Sequence, residues 1–598
     1  MQGNIYIRYS DLFDQPFSLA TLKKELRQFK LSNVLFHVAR MNVLLGRHRI
    51  LRENREAMQD LQGQLIANYI DDQILEDKLK VKFGRFKMDE YAVFTRLQCL
   101  GLLRLIASES KESASITSEG KTPGGYSLGR CCLIMNDHLL SKKEEKAISE
   151  GTDLKRRKHL AIQLAPLLEL YNPPAADRSV VRAEILFSEL LKTKTMEAIR
   201  QRELRGFDIS KAFLKATGIK LDTYRDFIVA IISWLYGHES AELIDKPNLF
   251  TFQRKQFIKN SKIKQRDFER YLSLDSITVP LLRGKFKTKQ AKVLPHFDYV
   301  HFRRQPLIEL DTGSFICADS CFAIEKLSSG IYWTIIDSLS GSDKQRAFDA
   351  FGYLFELYVN QILQRSQTSD TLFLPAPKYV NGENSVDGII LHGNQLILIE
   401  YKASFLRIEA KYGGKMRAFE KELDKKFGVD RDKGTDKGVA QLAKHIERLF
   451  HRKANARFHI SALDELLLAS HTRVEKVTPL LIVQEPFLRF HIIEDLLNVR
   501  FRKLLQKKKV SNAVTVGPLA VLDIDTLEQM KANIAGGDFT LAQCLNARAH
   551  RDPEYKQFWP EFISDHFEQF GKRDDIELNA KFSEIMDRTR KRFFGNGS

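Results

Sequence analysis

Ser385-Val386-Asp387-Gly388-Ile389-Ile390-Leu391-His392-Gly393-Asn394-Gln395-Leu396-Ile397-Leu398-Ile399-Glu400-Tyr401-Lys402 is the stretch on which the fold of this chain turns. Two runs rich in Ile, Leu and Val flank a Gly-Asn pair, a composition that predicts two strands joined by a two-residue turn with Gly at its first central position. With Gly393 and Asn394 as the turn, His392 faces Gln395 and Leu391 faces Leu396. Counting back in antiparallel register sets Asp387 opposite Glu400, and Lys402, two residues on, shares the face of Glu400.

Carboxylates in directly opposed positions have Cβ atoms about 5 Å apart and destabilise the pair unless something neutralises them. A divalent cation would do so. Two hard oxygen ligands beside an ammonium, on strands apolar enough to be buried on both faces, suit a metal site that polarises a phosphate and activates water. The plain alternative is a surface hairpin in which Glu400 and Lys402 form a solvated pair.

Upstream, Ser342 to Arg365 predicts a helix. Ser342-Asp343-Lys344-Gln345 matches a capping box, and Phe348, Phe351, Phe355, Val359 and Ile362 form an apolar stripe with Glu356 at its edge. The run LFLPAPKYV then predicts a strand leading into the hairpin. Downstream lies a basic, Gly-punctuated segment in which Lys411, Lys415, Arg417, Lys425 and Lys426 suit phosphate contacts, with a solvated lysine loop as the alternative. Gly438 to Phe450 predicts a helix carrying Gln441, Lys444 and His445, and PLLIVQEP and LAVLDIDTL predict two further strands. This alternation argues for a mixed sheet with helices on its faces.

The rest reads as a multidomain chain, mostly α-helical on the N-terminal side. Residues 1–107 form a helical domain by their three-and-four apolar spacing, and the Ser/Gly-rich 108–127 is a flexible linker or loop. Residues 128–290 are a second helical domain, opened by a possible short strand in GRCCLIMNDHLLS. Residues 291–340 make a short β-containing connector, 341–535 the α/β domain, and 536–598 a helical C-terminal extension. In the connector, Phe297, Tyr299, Phe302, Arg303 and Arg304 fit either core aromatics with arginines outside or a stacking surface for nucleic acid.

Composition narrows the partner. Over 598 residues the net charge is +18 and the pI is near 9.4, which favours a polyanion, nucleic acid first. Six scattered cysteines without a CxxC pair argue against a disulfide framework or a zinc module and suit a reducing cytoplasm. The start shows no basic segment followed by an apolar run, and the longest apolar stretch, Phe227 to Tyr236, is about half a bilayer span. The expectation is a cytoplasmic protein with no membrane partner.

A helix with Glu, a strand, a hairpin strand with Asp, a strand with Glu-x-Lys and a helix with Gln follow the order of the PD-(D/E)xK, restriction-endonuclease-like nuclease superfamily, which this chain resembles over roughly 340–530. The motif stands here as Glu356 in FGYLFELYV, Val386-Asp387 in place of Pro-Asp, twelve residues, Glu400-Tyr401-Lys402, and Gln441 in KGVAQLAKHI. The resemblance implies that Asp387 and Glu400 bind Mg²⁺ or Mn²⁺ with help from the Tyr401 carbonyl. It implies that Glu356 holds a second metal or a metal-bound water, that Lys402 orients or deprotonates the attacking water, and that Gln441 contacts a phosphate or steadies Lys402. The implied activity is metal-dependent hydrolysis of phosphodiesters, with DNA placed before RNA as substrate.

A large helical part fused to such a domain is similar in layout to prokaryotic restriction and anti-phage effectors, an analogy of architecture alone. No GxxxxGK[ST] pattern is present, so an NTP-driven step would need a partner. The competing expectation is a non-catalytic nucleic-acid-binding subunit, or a regulatory protein that recruits a protein partner or a second copy through its helical N-terminal region.

Overall fold

The computed structural model describes residues 5–13, 17–51, 55–70, 73–85, 91–110, 128–139, 169–170, 172–238, 240–261, 263–287, 299–311, 313–368, 370–413, 415–430, 434–451, 456–550 and 559–594. These residues are mostly helical and carry two mixed sheets. No described helix is long and apolar enough to cross a membrane.

The first sheet joins β1 (Phe252–Gln253), β2 (Ser276–Thr278), β3 (Leu307–Asp311) and β4 (Ser314–Cys317) in the order β1-β4-β3-β2. β3 and β4 form an antiparallel hairpin, whereas β2 pairs parallel to β3. The boundary expected near 290 therefore runs through a sheet. Strands of two or three residues carry too little alternation to be seen against a helical background, which is why β1 and β2 escape a sequence reading.

The second sheet contains β5 (Thr371–Pro375), β6 (Gly388–His392), β7 (Gln395–Lys402), β8 (Lys476–Val483), β9 (Thr515–Val516) and β10 (Ala520–Asp523). β5, β6 and β7 are antiparallel neighbours, and β8 lies parallel to β7. β9 and β10 share the outer edge of β8, pairing with residues 476–477 and 480–483. Pro479 falls between those two pairings, where a missing amide N–H is tolerated.

Residue parity assigns each face of this sheet to a different core. Ile390, Ile397, Ile399, Leu480, Ile482 and Leu522 face the larger core, which continues through the N-terminal helices, the first sheet and the C-terminal helices. Ile389, Leu391, Leu396, Leu398, Leu481 and Val521 face a second core. α1 (Gly341–Gln364) lies on the first side, and α2 (Met416–Phe427), α3 (Val439–Leu449) and α4 (His491–Leu505) supply the second. Burial on both faces explains the unbroken Ile/Leu runs of the hairpin strands.

Two expectations need correction. α1 starts one residue before the expected cap: Ser340 is the N-cap without a side-chain cap bond, and Asp343 instead pairs with Arg346 inside the first turn. GRCCLIMN is a helix, Leu128–Asn136, and not a strand. Eight of its nine residues are buried, and a helix buried all round loses the amphipathic period that distinguishes it from a strand. The C-terminal extension is helical as expected, and its helix Ile576–Phe593 packs on Ala176–Glu184 and Leu221–Tyr236, with the Phe593 ring 5.3 Å from Phe227. All six cysteines are buried free thiols.

Candidate active site

The hairpin forms in the expected register, His392 against Gln395 and Gly388 against Ile399. Gly393 takes φ 54° at the turn, a conformation open to glycine at little cost. Asp387 thus leads into β6 beside Glu400 of β7, and its Oδ2 accepts the Tyr401 N–H at 2.7 Å. Lys402 donates to Glu400 Oε2 at 2.9 Å. Glu400 is buried to 2 % side-chain exposure, while the Lys402 side chain keeps 15 %.

Glu356 reaches this cluster from α1. Burial, with the nearby Asp387 charge, raises its carboxyl to about 7 against the opposing pull of Lys402. Burial and Asp387 likewise push Glu400 up to about 8, although Lys402 acts the other way. Burial alone would lower the Lys402 ammonium, but Glu400 and Asp387 more than reverse this and raise it. Three acidic groups therefore share one cation. α1 is tied to the hairpin at the same level by the Tyr401 hydroxyl, which donates to Asn360 Oδ1 at 2.9 Å.

As the side chains stand, no three His, Cys, Asp or Glu groups among the described residues converge closely enough to hold a metal. Asp387 is engaged with a backbone N–H and Glu400 with Lys402. The donor set nonetheless fits a hard divalent ion, because it is all carboxylate oxygen and its charge is under-compensated, as the raised Glu356 and Glu400 values record.

Of the two roles the resemblance implied for Gln441, the structure does not show the one on Lys402. It is the third residue of α3, and its Oε1 accepts the Gly438 N–H at 2.8 Å, not a bond from Lys402. Gly438 has φ 38°, and a Cβ there would stand 3.0 Å from the Phe427 carbonyl. A glycine N-cap has no side chain to cap the helix, so Gln441 closes it from within.

One turn further along α3, His445 meets the site instead. Its Nδ1 is 2.7 Å from the Tyr379 hydroxyl and its Nε2 is 3.9 Å from Glu400 Oε1. Burial, helped by Arg448, Lys444 and Lys402, lowers the imidazole to about 4, so it faces Glu400 uncharged at neutral pH. The signal was in the spacing: His445 is four residues after Gln441 and shares its helix face.

The five basic residues expected to contact phosphate separate into three kinds. Lys415, Arg417 and Lys425 are exposed. Lys426 is half-buried with its ammonium 4.8 Å from the Phe348 ring centre, and burial together with neighbouring cations lowers it to about 8. Lys411 is buried, donating to Glu169 at 2.8 Å and Glu485 at 2.9 Å, so its charge is neutralised inside the protein and is not offered to a phosphate. Arg303 and Arg304 of the connector also differ. Arg303 is enclosed between Glu169 and Glu325, while the Arg304 side chain is 60 % exposed; Tyr299 and Phe302 are core aromatics, and Phe297 lies outside the described residues. No family model, no curated protein and no solved structure matches the chain.

Proposed function

We propose that the chain is a metal-dependent phosphodiesterase acting on DNA, built on a restriction-endonuclease-like domain over roughly 340–530, in a prokaryotic restriction or anti-phage setting. The observation that carries this reading is the acid-rich end of the hairpin, where Asp387, Glu400 and Glu356 share the single cation Lys402. Asp387 and Glu400 would hold Mg²⁺ or Mn²⁺ with the Tyr401 carbonyl, and Glu356 would stand behind them. When bound, the ion supplies Lewis acidity and offsets charge on the phosphate.

The protein's own groups do the rest. Lys402, anchored on Glu400 at 2.9 Å and partly open to solvent, orients the attacking water and a phosphate oxygen. His445 and Tyr379 hold the far side of Glu400 and exclude water there. The exposed Lys415 at the N-cap of α2 and Arg417 and Lys425 on it provide phosphate contacts that fix the register of the nucleic acid.

Incubation of the purified protein with plasmid DNA and Mg²⁺ tests the reading. Cutting should vanish in Asp387→Ala and fall by on the order of a hundredfold or more in Lys402→Ala; equal cutting by wild type and Asp387→Ala would sink it. A second reading, a nucleic-acid-binding or regulatory subunit that does not cut, is favoured by one observation: Lys402, which would serve the attacking water, is tied to Glu400. It requires salt-sensitive binding that is indifferent to divalent ions.

A further inference from the structure

A cavity of about 420 Å³ opens at the seam between the connector and the second sheet. None of Glu356, Asp387, Glu400 or Lys402 lines it. One wall is the segment Phe405 to Ile408, which leaves the end of β7, and another is Glu485 and Pro486 beyond the end of β8. Since Lys402 and Val483 are paired neighbours on parallel strands, the cavity sits just outside the carboxyl ends of two adjacent parallel strands. That is the place where open α/β sheets bind ligands, and the volume lies within the range of small-molecule sites.

The third wall is unusual backbone. Lys326–Gly330 forms a single π-helical turn between the helices Ser320–Glu325 and Ile331–Ser338, a feature frequent at functional sites. Ser328, Ser329 and Gly330 of this turn face the cavity, followed by Trp333 one turn later. The Trp333 ring is half-buried, and the Arg407 guanidinium stands 5.9 Å from its centre.

The cavity's charges are of two sorts. Arg303, Lys326 and Lys411 are held by Glu325, Asp275 and Glu169 respectively. Arg407 is exposed and makes no ion pair among the described residues, and Arg304 meets only the exposed Glu409 at 3.7 Å. Arg303 itself is only 8 % exposed.

We infer that this cavity binds a purine nucleoside monophosphate, its ring against Trp333 and its phosphate toward Arg304 and Arg407. A planar ring matches the half-buried indole, Thr334 and Asp337 offer a donor and acceptors for the ring edge, and two solvent-facing guanidiniums match a phosphate. The inference does not rest on the phosphodiesterase reading, because the two sets of residues are distinct and the test measures binding.

Equilibrium dialysis of the full chain against labelled AMP and GMP, with adenosine and inorganic phosphate as comparisons, decides it. At least one nucleotide should bind saturably with one-to-one stoichiometry, and phosphate alone should not. Arg407→Glu, a change at an exposed position, should weaken nucleotide binding by about tenfold or more while sparing adenosine; Trp333→Leu, checked for an intact melting transition, should weaken both. Failure of both AMP and GMP to bind, or wild-type binding by Arg407→Glu, overturns the inference.

Discussion

Two buried charge clusters lie within one chain, and Glu169 in one and Glu400 in the other are shifted in opposite directions. At the seam, Glu169, Glu325 and Glu485 meet Arg303, Lys411, the Tyr412 hydroxyl and the N–H groups of Leu406 and Phe487. Burial alone would raise the Glu169 carboxyl, yet Lys411 and Arg303 draw it down to about 2. At the hairpin, Asp387, Glu356 and Glu400 share one lysine, and burial carries Glu356 to about 7 and Glu400 to about 8. Depth does not distinguish them, since Glu400 and Glu485 are both buried. Donor supply separates Glu169 from Glu400: Glu169 meets two cations and a hydroxyl, whereas Glu400 meets one lysine; Glu325, with Arg303 as its partner, is still raised by burial. The seam cluster is a fastening, whereas the hairpin cluster is left short of positive charge.

The comparison breaks most sharply at Lys411. Replacing it with Ala removes the cation that Glu169 and Glu485 share, leaving Arg303 and Tyr412 on the first and two N–H groups on the second, and should cost about 3 kcal/mol of stability, read as a fall in the urea midpoint; a loss below about 1 kcal/mol would mean the seam is not a fastening.

The next effect concerns pH. Glu356 and Glu400 have folded values of about 7 and 8, above the ordinary 4.5, so their contribution to stability is fully present below about pH 4.5 and is lost as pH rises through 7 to 8. In the absence of metal, the melting midpoint should fall across that window, and a Glu356→Gln, Glu400→Gln double variant should flatten the fall. Millimolar Mg²⁺ or Mn²⁺ should restore the wild type at pH 8 and leave the variant unmoved. Identical profiles for the two proteins would remove the shortage of positive charge from the account.

The smallest effect calibrates the others. Arg365 and Glu577 form an exposed pair, with side chains 55 % and 69 % in solvent, and Arg365→Ala should change stability by no more than about 0.5 kcal/mol. A larger loss in the same urea series would show that solvent exposure, and not donor supply, is the wrong basis for ranking these clusters.

The sequence by itself determined the hairpin, its register and the opposition of Asp387 and Glu400, because a two-residue turn and a period-two pattern are local properties of the chain. It also carried α1, α3 and the buried strands β7 and β8, whose apolar patterns are long enough to read. It left β1, β2 and the all-buried helix at Leu128–Asn136 unread, since short strands lack alternation and enclosed helices lack a polar face. Only the tertiary structure decided what each charge does. Lys411 and Lys415 stand four residues apart in the same basic segment, yet one is enclosed by Glu169, 242 residues away, and the other faces solvent. Gln441 and His445 share a helix face, yet the first closes its own helix and the second approaches Glu400. Whether a charged or polar side chain is satisfied depends on partners that arrive from distant parts of the chain, and no local pattern records which partners those will be.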